Sequence, residues 1–410
     1  MTPQRRTDYL IEAAQKGRVA FIQLWLTDIH GRVRGVTIPT AQLEVALDEG
    51  ITVSSHIITG DLADAEELTL VPDPQTWAVL PWSDESGVVA RLICDTVGAD
   101  GSPSRHDGRT VLKRMLGRAH DVGYTFYCGA ALEHGYLSAT QPIPVPLTVG
   151  PECGFGATRI GQALVQQTVV ALEQLGCGVH GFATARGAGQ FRVELAFSDP
   201  LALADRIVTH RHVVCELARQ HAMSATFMPF PFRDQPRHGM TLAVSLYDAG
   251  ESAFRDADGD GAPTAIAAQF ADGLSSVAHE LALVTRSTVN SYNRSLRNAP
   301  VQIPSGGTLA DEGRSLLFEQ ADASANPYLL IAAVLEAGLA AVPRPVGAAP
   351  EDAQPVTLVA AADIARHSEL LQHVLGEELL ATLVDRAHSA AAEYRKQVTG
   401  WELERYLDVY

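Results

Sequence analysis

With 410 residues, 46% of them apolar, the chain can bury a core large enough for two domains. Its formal net charge is −17, and with no basic run and no interleaving of basic and aromatic residues it lacks the footprint of a nucleic-acid-binding protein. Five scattered cysteines (Cys94, Cys128, Cys153, Cys177, Cys215) without metal-type spacing, and no apolar run long enough to span a bilayer, lead us to expect a cytoplasmic protein with reduced thiols and no membrane partner.

The N-terminus, Met1-Thr2-Pro3-Gln4-Arg5-Arg6, runs directly into an amphipathic segment, so no signal peptide is expected. Residues 8–16 have the spacing of a short helix. Residues 19–25 alternate as a strand, Asp28-Ile29-His30-Gly31-Arg32 signals a turn, and 33–38 forms the returning strand. A helix near 40–49 closes at Gly50. Segments 68–70, 77–80 and 88–94 are further strands, the first two flanking the turn Pro72-Asp73-Pro74. Strands with one covering helix predict a small α+β domain over residues 1–105.

The pattern changes from Arg109, where Val111, Leu112, Leu116 and Ala119 share a helical face that ends before Gly123. Strands near 125–137, 178–184, 190–197 and 240–246 alternate with helices near 157–176, 200–221 and 263–284. Segments 233–239, 247–262 and 343–355 have loop composition, and two helices near 362–374 and 377–396 carry the chain towards its end. Within 181–195 a small turn, Gly187-Ala188-Gly189, is flanked by Arg186 and Arg192. No helix start or P-loop lysine follows it, so it is expected to be a tight turn between strands and not a phosphate loop.

Collinear motifs spread over nearly the whole chain resemble the glutamine synthetase family. In the first domain they are Trp25-Leu26-Thr27-Asp28-Ile29-His30-Gly31-Arg32, Val71-Pro72-Asp73, Leu80-Pro81-Trp82 and Ala90-Arg91-Leu92-Ile93-Cys94-Asp95. In the second, 106–410, they are Phe227-Met228-Pro229, Gly239-Met240, Asn290-Ser291-Tyr292-Asn293-Arg294 and Asp322-Ala323-Ser324-Ala325-Asn326-Pro327-Tyr328-Leu329, with Trp401-Glu402-Leu403-Glu404-Arg405-Tyr406 at the close. The resemblance implies an α+β fold, a β-grasp domain followed by a larger domain with a curved antiparallel sheet flanked by helices. It also implies homo-oligomeric rings, commonly two stacked hexamers, with sites between subunits.

That family moves a phosphoryl group from ATP, which needs divalent metal held by hard oxygen ligands and arginines on the phosphates. The six metal positions implied by the motifs fall here on Ala131, Glu133, Thr184, Arg192, Thr241 and Leu317, so one carboxylate remains and one position is a cation. Ala243 stands for a further histidine, Glu319 for the phosphate-side arginine, Phe230 for a lysine, and Ser54 for the acid lent to a neighbouring subunit. The flap segment 295–300 carries no acid, and 302–307 replaces arginine-rich strands. A shift that put Glu194 in place of Arg192 is expected to break the strand alternation.

The expectation is therefore a glutamine synthetase-like protein that has lost metal-dependent phosphoryl transfer, with no metal and no cofactor. One reading is a repurposed enzyme acting on a small anionic metabolite, a carboxylate or amino-acid derivative of a specialised pathway. Glu133 with His180 would then serve as acid and base, and Arg186, Arg192, Arg237, His238 and Arg294 as substrate-binding groups. His134, next to Glu133 on a strand, is expected on the opposite face. The alternatives are a non-catalytic pseudoenzyme with a binding, regulatory or scaffold role, and a residual ATP-dependent amide ligase.

Overall fold

The computed structural model describes residues 3–60, 66–82, 87–138, 145–147, 159–255, 263–292, 301, 315–342 and 354–407. Helix α1 (Pro3–Lys16) leads into β1 (Val19–Thr27), which turns back into β2 (Val33–Pro39). Then come α2 (Leu43–Asp48), β3 (Ile51–Ser54), α3 (His56–Thr59), β4 (Glu67–Pro72), β5 (Ala78–Val79) and β6 (Val88–Gly98). The strands order as β2-β1-β6-β4-β3, with β5 on β6. β1 runs parallel to β6 and antiparallel to β2, so the most apolar strand lies inside the sheet. Gly50 ends the α2 turn at φ 76°, where a Cβ would lie 2.4 Å from Thr69 Cγ2, so no side chain fits there.

The larger sheet is antiparallel. It is built from β7 (Tyr124–Ser138), β8 (Val145–Pro146), β9 (Val179–Thr184), β10 (Gln190–Ser198), β11 (Met223–Thr226), β12 (Gly239–Asp248), β13 (Glu251–Ser252) and β14 (Leu316–Asp322). The order is β13-β12-β7-β10-β9, with β14 on β12 and with β11 and β8 on the far end of β7. The accompanying helices are α4 (Gly108–Asp121), α5 (Arg159–Gln174), α6 (Pro200–Gln220), α7 (Ala265–Ser276), α8 (Ala282–Thr285) and α9 (Pro327–Ala341). The last four are α10 (Leu358–Arg366), α11 (Glu369–Leu375), α12 (Glu377–Arg395) and α13 (Gly400–Tyr406). Period-two alternation sorts the sheet into two faces. Leu132, Phe191, Val193, Leu195, Met240 and Leu242 are buried in the core, which α4 and α6 help to cover. Glu133, Arg192, Glu194 and Thr241 stand on the other face.

The expected α+β architecture is thus the one adopted, a β-grasp-type sheet followed by a larger sheet flanked by helices. Two features join them. Arg109, with a side chain only 3% exposed, binds Asp73 just after β4, Asp95 of β6 and Asp205 of α6 at 2.7, 2.7 and 3.1 Å, and Tyr328 donates to Asp205. Burial alone would lower its pKa, but Asp205 and Asp95 outweigh that, so the guanidinium is held charged. Asn326 caps α9 by accepting from the N–H groups of Tyr328 and Leu329, and its Nδ2 donates to the carbonyl of Ile29 at 3.1 Å.

Two helix boundaries and several strands differ from the expectation. The helix anticipated over 263–284 stops at Ser276, where the hydroxyls of Ser275 and Ser276 donate back to the Ala271 and Gly273 carbonyls, and a turn at 277–281 separates it from α8. The helix near 362–374 is two helices, separated at Ser368, which caps α11 through Leu371 N–H. Strands β3, β8, β11, β13 and β14 were not anticipated. Cys94, Cys128 and Cys177 are buried free thiols, Cys215 is exposed, and Cys153 lies outside the described residues. No described helix is long and apolar enough to cross a membrane.

Candidate functional site

The polar face of the large sheet forms a floor at the centre of β7, β10, β12 and β14. Register sets Arg192 directly across from Glu133, Thr241 across from Ala131, and Ala243 between Gly129 and Leu317. The floor divides in two. On one side Ala131 and Ala243, both fully buried, pack with Phe197 and Leu317 into a small apolar cluster separate from the main core. Phe197 packs against Gly129, where an added Cβ would meet its ring at 2.8 Å. On the other side stands the polar half, Glu133, Gln190, Arg192, Glu194 and Thr241.

Glu133 Oε2 accepts from Gly239 N at 2.9 Å and from Gln190 Nε2 at 3.2 Å, while Oε1 accepts from no described residue. Burial pushes its carboxyl above the ordinary range. The Gly239 N–H and the guanidinia of Arg192, Arg237 and Arg186 pull the other way without overcoming it. Arg192 binds Glu194 through Nε at 3.3 Å and reaches Thr241 Oγ1 at 3.5 Å through Nη1, which leaves Nη2 without a described partner. Glu194 lies two residues beyond Arg192 and so shares its face. Alternation therefore does not separate the two, contrary to the expectation, and the acid belongs to the floor.

Gln190 was not singled out from sequence, yet it ties the site together. Its amide donates to Glu133 and to Arg237 O, and its Oε1 accepts from Gly187 N at 2.7 Å. With Gln235 accepting from Ala188 N, two of the Gly187-Ala188-Gly189 N–H groups are consumed inside the protein. Gly189, at φ 67°, sits where a Cβ would be 2.9 Å from Tyr136 O. The stretch is the tight β9–β10 turn that was expected.

The remaining candidates divide. Arg186 is exposed on the turn and within electrostatic reach of Glu133. Arg237 binds Asp322 at 3.4 Å and the carbonyl of Glu319, so it is engaged in building the floor. Asp322 is fully buried, and burial pushes it up to about 6 against the opposing Arg237. His180 is not brought to Glu133. It is the extra residue of a bulge in β9, exposed, and three positions from Ala183, the residue beside Arg192, which is about 10 Å along a strand. His238 is not open to the floor either. It is 4% exposed, its ring sits against the missing side chain of Gly135, and burial pushes it down to about 4. His134 faces the core as expected, among Tyr136, Phe191, His210 and Phe227. Arg294 and the flap segment lie outside the described residues.

The family model for the glutamine synthetase β-grasp domain matches residues 18–98, and that for the catalytic domain matches 105–406. The chain belongs to the glutamine synthetase family. It is similar to glutamine synthetase of Mycolicibacterium smegmatis, 31% identical over 445 residues that cover 99% of this chain and 100% of the relative. Glutamine synthetase of Mycobacterium tuberculosis is 30% identical over 448 residues, with the same coverage. Among solved structures, GmaS in complex with ADP superposes with a TM-score of 0.84 at 26% identity, covering 97% of this chain and 99% of that one. A novel glutamine synthase homolog superposes with a TM-score of 0.81 at 24% identity, covering 96% and 99%. Family membership gives meaning to the divided floor, because its apolar half is where family ligand positions were expected.

Proposed function

We propose that this glutamine synthetase-family protein works without divalent metal or ATP on a small anionic metabolite, a carboxylate or amino-acid derivative. The observation that carries this reading is the apolar packing of Ala131, Ala243, Leu317 and Phe197 on the floor. Magnesium or manganese needs several hard oxygen donors converging at once. Of the six expected positions only Glu133 supplies a carboxylate, and its Oε2 is already used by Gly239 and Gln190. Arg192 faces it across the ladder with a positive charge, and Glu194 is engaged by that same arginine. The residues present do not fit a divalent ion.

What the floor does offer is a proton-transfer group beside cations. Glu133, its pKa raised by burial, holds a proton more readily than an ordinary carboxylate and is suited to pass it to or from a bound substrate. Arg192 Nη2, with Arg186 on the turn above, is suited to orient a substrate carboxylate without metal. The domain junction falls near 105–106, and the assembly is a homo-oligomeric ring, a hexamer or two stacked hexamers.

One observation favours a second reading, a non-catalytic binding or scaffold subunit. Arg192 and Arg237 are each satisfied by an internal acid, Glu194 and Asp322, so the floor is stable without a ligand. Thermal-shift titration of the full-length protein with dicarboxylates and amino acids separates the two. The first reading expects stabilisation by an anion that Arg192→Met abolishes, with Glu133→Gln binding normally but turning nothing over. A full panel without response supports the second reading. Stabilisation by ATP with magnesium or manganese overturns both.

A further inference from the structure

The polar face of the large sheet changes character along its strands, and the register of its rungs measures the change. The first rung sets Arg192 across from Glu133. The second, about 7 Å further along β7, holds Glu194, Ala131 and Thr241. The third, about 13 Å from the first, holds Gly129, Ala243 and Leu317, with the ring of Phe197 against Gly129. Beyond it the same alternation places Tyr127 and Tyr247, edge to face with centroids 5.4 Å apart, so aromatic surface follows.

Each end offers a different surface. At the first rung Arg192 engages Glu194 through Nε at 3.3 Å and Thr241 through Nη1 at 3.5 Å, so only Nη2 of this guanidinium has no described partner. At the second, the Glu194 carboxylate stands beside Ala131 and repels any further anionic group passing over it. At the third, Gly129, Ala243, Leu317 and Phe197 bring neither a charge nor a hydrogen-bonding side chain. Phe197 and Leu317 pack on Ala131 and Ala243 but are themselves only half-buried, so both keep apolar surface uncovered. Their cluster belongs to the floor and is separate from the main core.

We propose that the metabolite bound on this floor is a monocarboxylate with an apolar body, its carboxylate on Arg192 and its body against Phe197 and Leu317. This assignment rests on the reading of Arg192 as the carboxylate anchor, and it adds what the rest of the ligand must be. A dicarboxylate laid along the floor would carry its second charge past Glu194 onto the third rung, where no side chain replaces its lost hydration. An alkyl or aryl body instead takes its own apolar surface, and that of Phe197 and Leu317, out of water. The span of about 13 Å between first and third rungs is long enough for an extended arylalkanoate such as phenylbutanoate. Phe197 and Leu317 are on this account the residues that set specificity.

The test compares phenylbutanoate, butanoate, succinate and glutamate on the full-length protein at constant ionic strength, by calorimetry and thermal shift. Phenylbutanoate should bind saturably and about tenfold or more tighter than butanoate, which shares its carboxylate. Succinate and glutamate should bind more weakly than phenylbutanoate. Arg192→Met should abolish the binding, and Leu317→Asn should weaken phenylbutanoate about tenfold while leaving butanoate unchanged. The ranking of the four ligands on the wild type stands even if a variant fails to fold. Succinate, glutamate or butanoate binding as tightly as phenylbutanoate overturns the apolar body and leaves the anion-binding reading of Arg192 standing. Phenylbutanoate binding that Arg192→Met does not weaken is adsorption of the ring alone and overturns the proposal. Silence from all four at millimolar concentration overturns it together with the anion-binding reading.

Discussion

Behind the floor, three histidines are buried in the core, and they make stability depend steeply on pH. His134 and His210 are fully buried with ring centroids 5.5 Å apart, and neither ring has a hydrogen-bond partner among the described residues. Burial lowers all three pKa values. His210 falls to about 3, with the neighbouring Arg211 adding to the shift, and His238 falls to about 4. His134 lies well below its ordinary value, with His210 and His238 contributing. The unfolded chain takes up these protons near 6.5 and the folded one does not, so stability is intact above that pH and is lost as pH falls. At pH 5 each of His210 and His238 costs about 2 kcal/mol, which is 1.5 pH units at about 1.4 kcal/mol each. Together they remove about 4 kcal/mol between pH 7 and 5, and His134 adds to the loss. Urea denaturation at pH 7, 6 and 5 measures this. His210→Phe keeps the volume and removes one titration, so its loss over the same range should be smaller by about 2 kcal/mol. If His210→Phe and wild type lose stability in parallel, the buried-neutral account of these histidines is wrong.

Asp322 works in the opposite sense. Its folded pKa of about 6 exceeds the unfolded value of 3.8, so it adds stability as pH falls through 6. Asp322→Asn should therefore steepen the wild-type acid loss between pH 7 and 5 by about 1 kcal/mol in the same urea series. Arg109→Met removes the shared partner of Asp73, Asp95 and Asp205 at the junction of the two sheets. It should cost about 3 to 5 kcal/mol, as breaking a buried ion pair does, visible as a lower urea midpoint, and a loss below about 1 kcal/mol would show the node to be solvated.

Much of the fold was legible because it is periodic. Alternation over 190–197 and 240–246 located β10 and β12, and the same period placed His134 opposite Glu133, as the ring contacts of His134 with Phe191 and Tyr136 show. β14, Leu316–Asp322, opens with three apolar residues in a row, and period two carries little signal there. The break at Ser368 depends on one side chain choosing a backbone N–H, which composition leaves open. For the site, the motifs identified which residues occupy the ligand positions. They did not say that Ala131, Ala243, Leu317 and Phe197 close on one another, because strand register across β7, β12 and β14 is tertiary. His180 looked close to Glu133 because a bulge that pushes it outward has no sequence mark here.

The floor's charge balance carries one more consequence. Arg192 holds Glu194 through Nε and leaves Nη2 open, while Glu133 stands across the ladder with its pKa raised by burial. A ligand carboxylate on Nη2 brings a second negative charge beside Glu133 and shields it from Arg192. Both effects favour the protonated acid, so anion binding and proton uptake are coupled. Titration calorimetry with the carboxylate that stabilises the protein, repeated in two buffers of different ionisation enthalpy at each of several pH values between 5 and 7, measures the uptake directly. A positive fraction of a proton per site is expected in wild type, with none in Glu133→Gln. Uptake that survives in Glu133→Gln would place the proton on another group, and the role of Glu133 as the proton-transferring residue would fall with it.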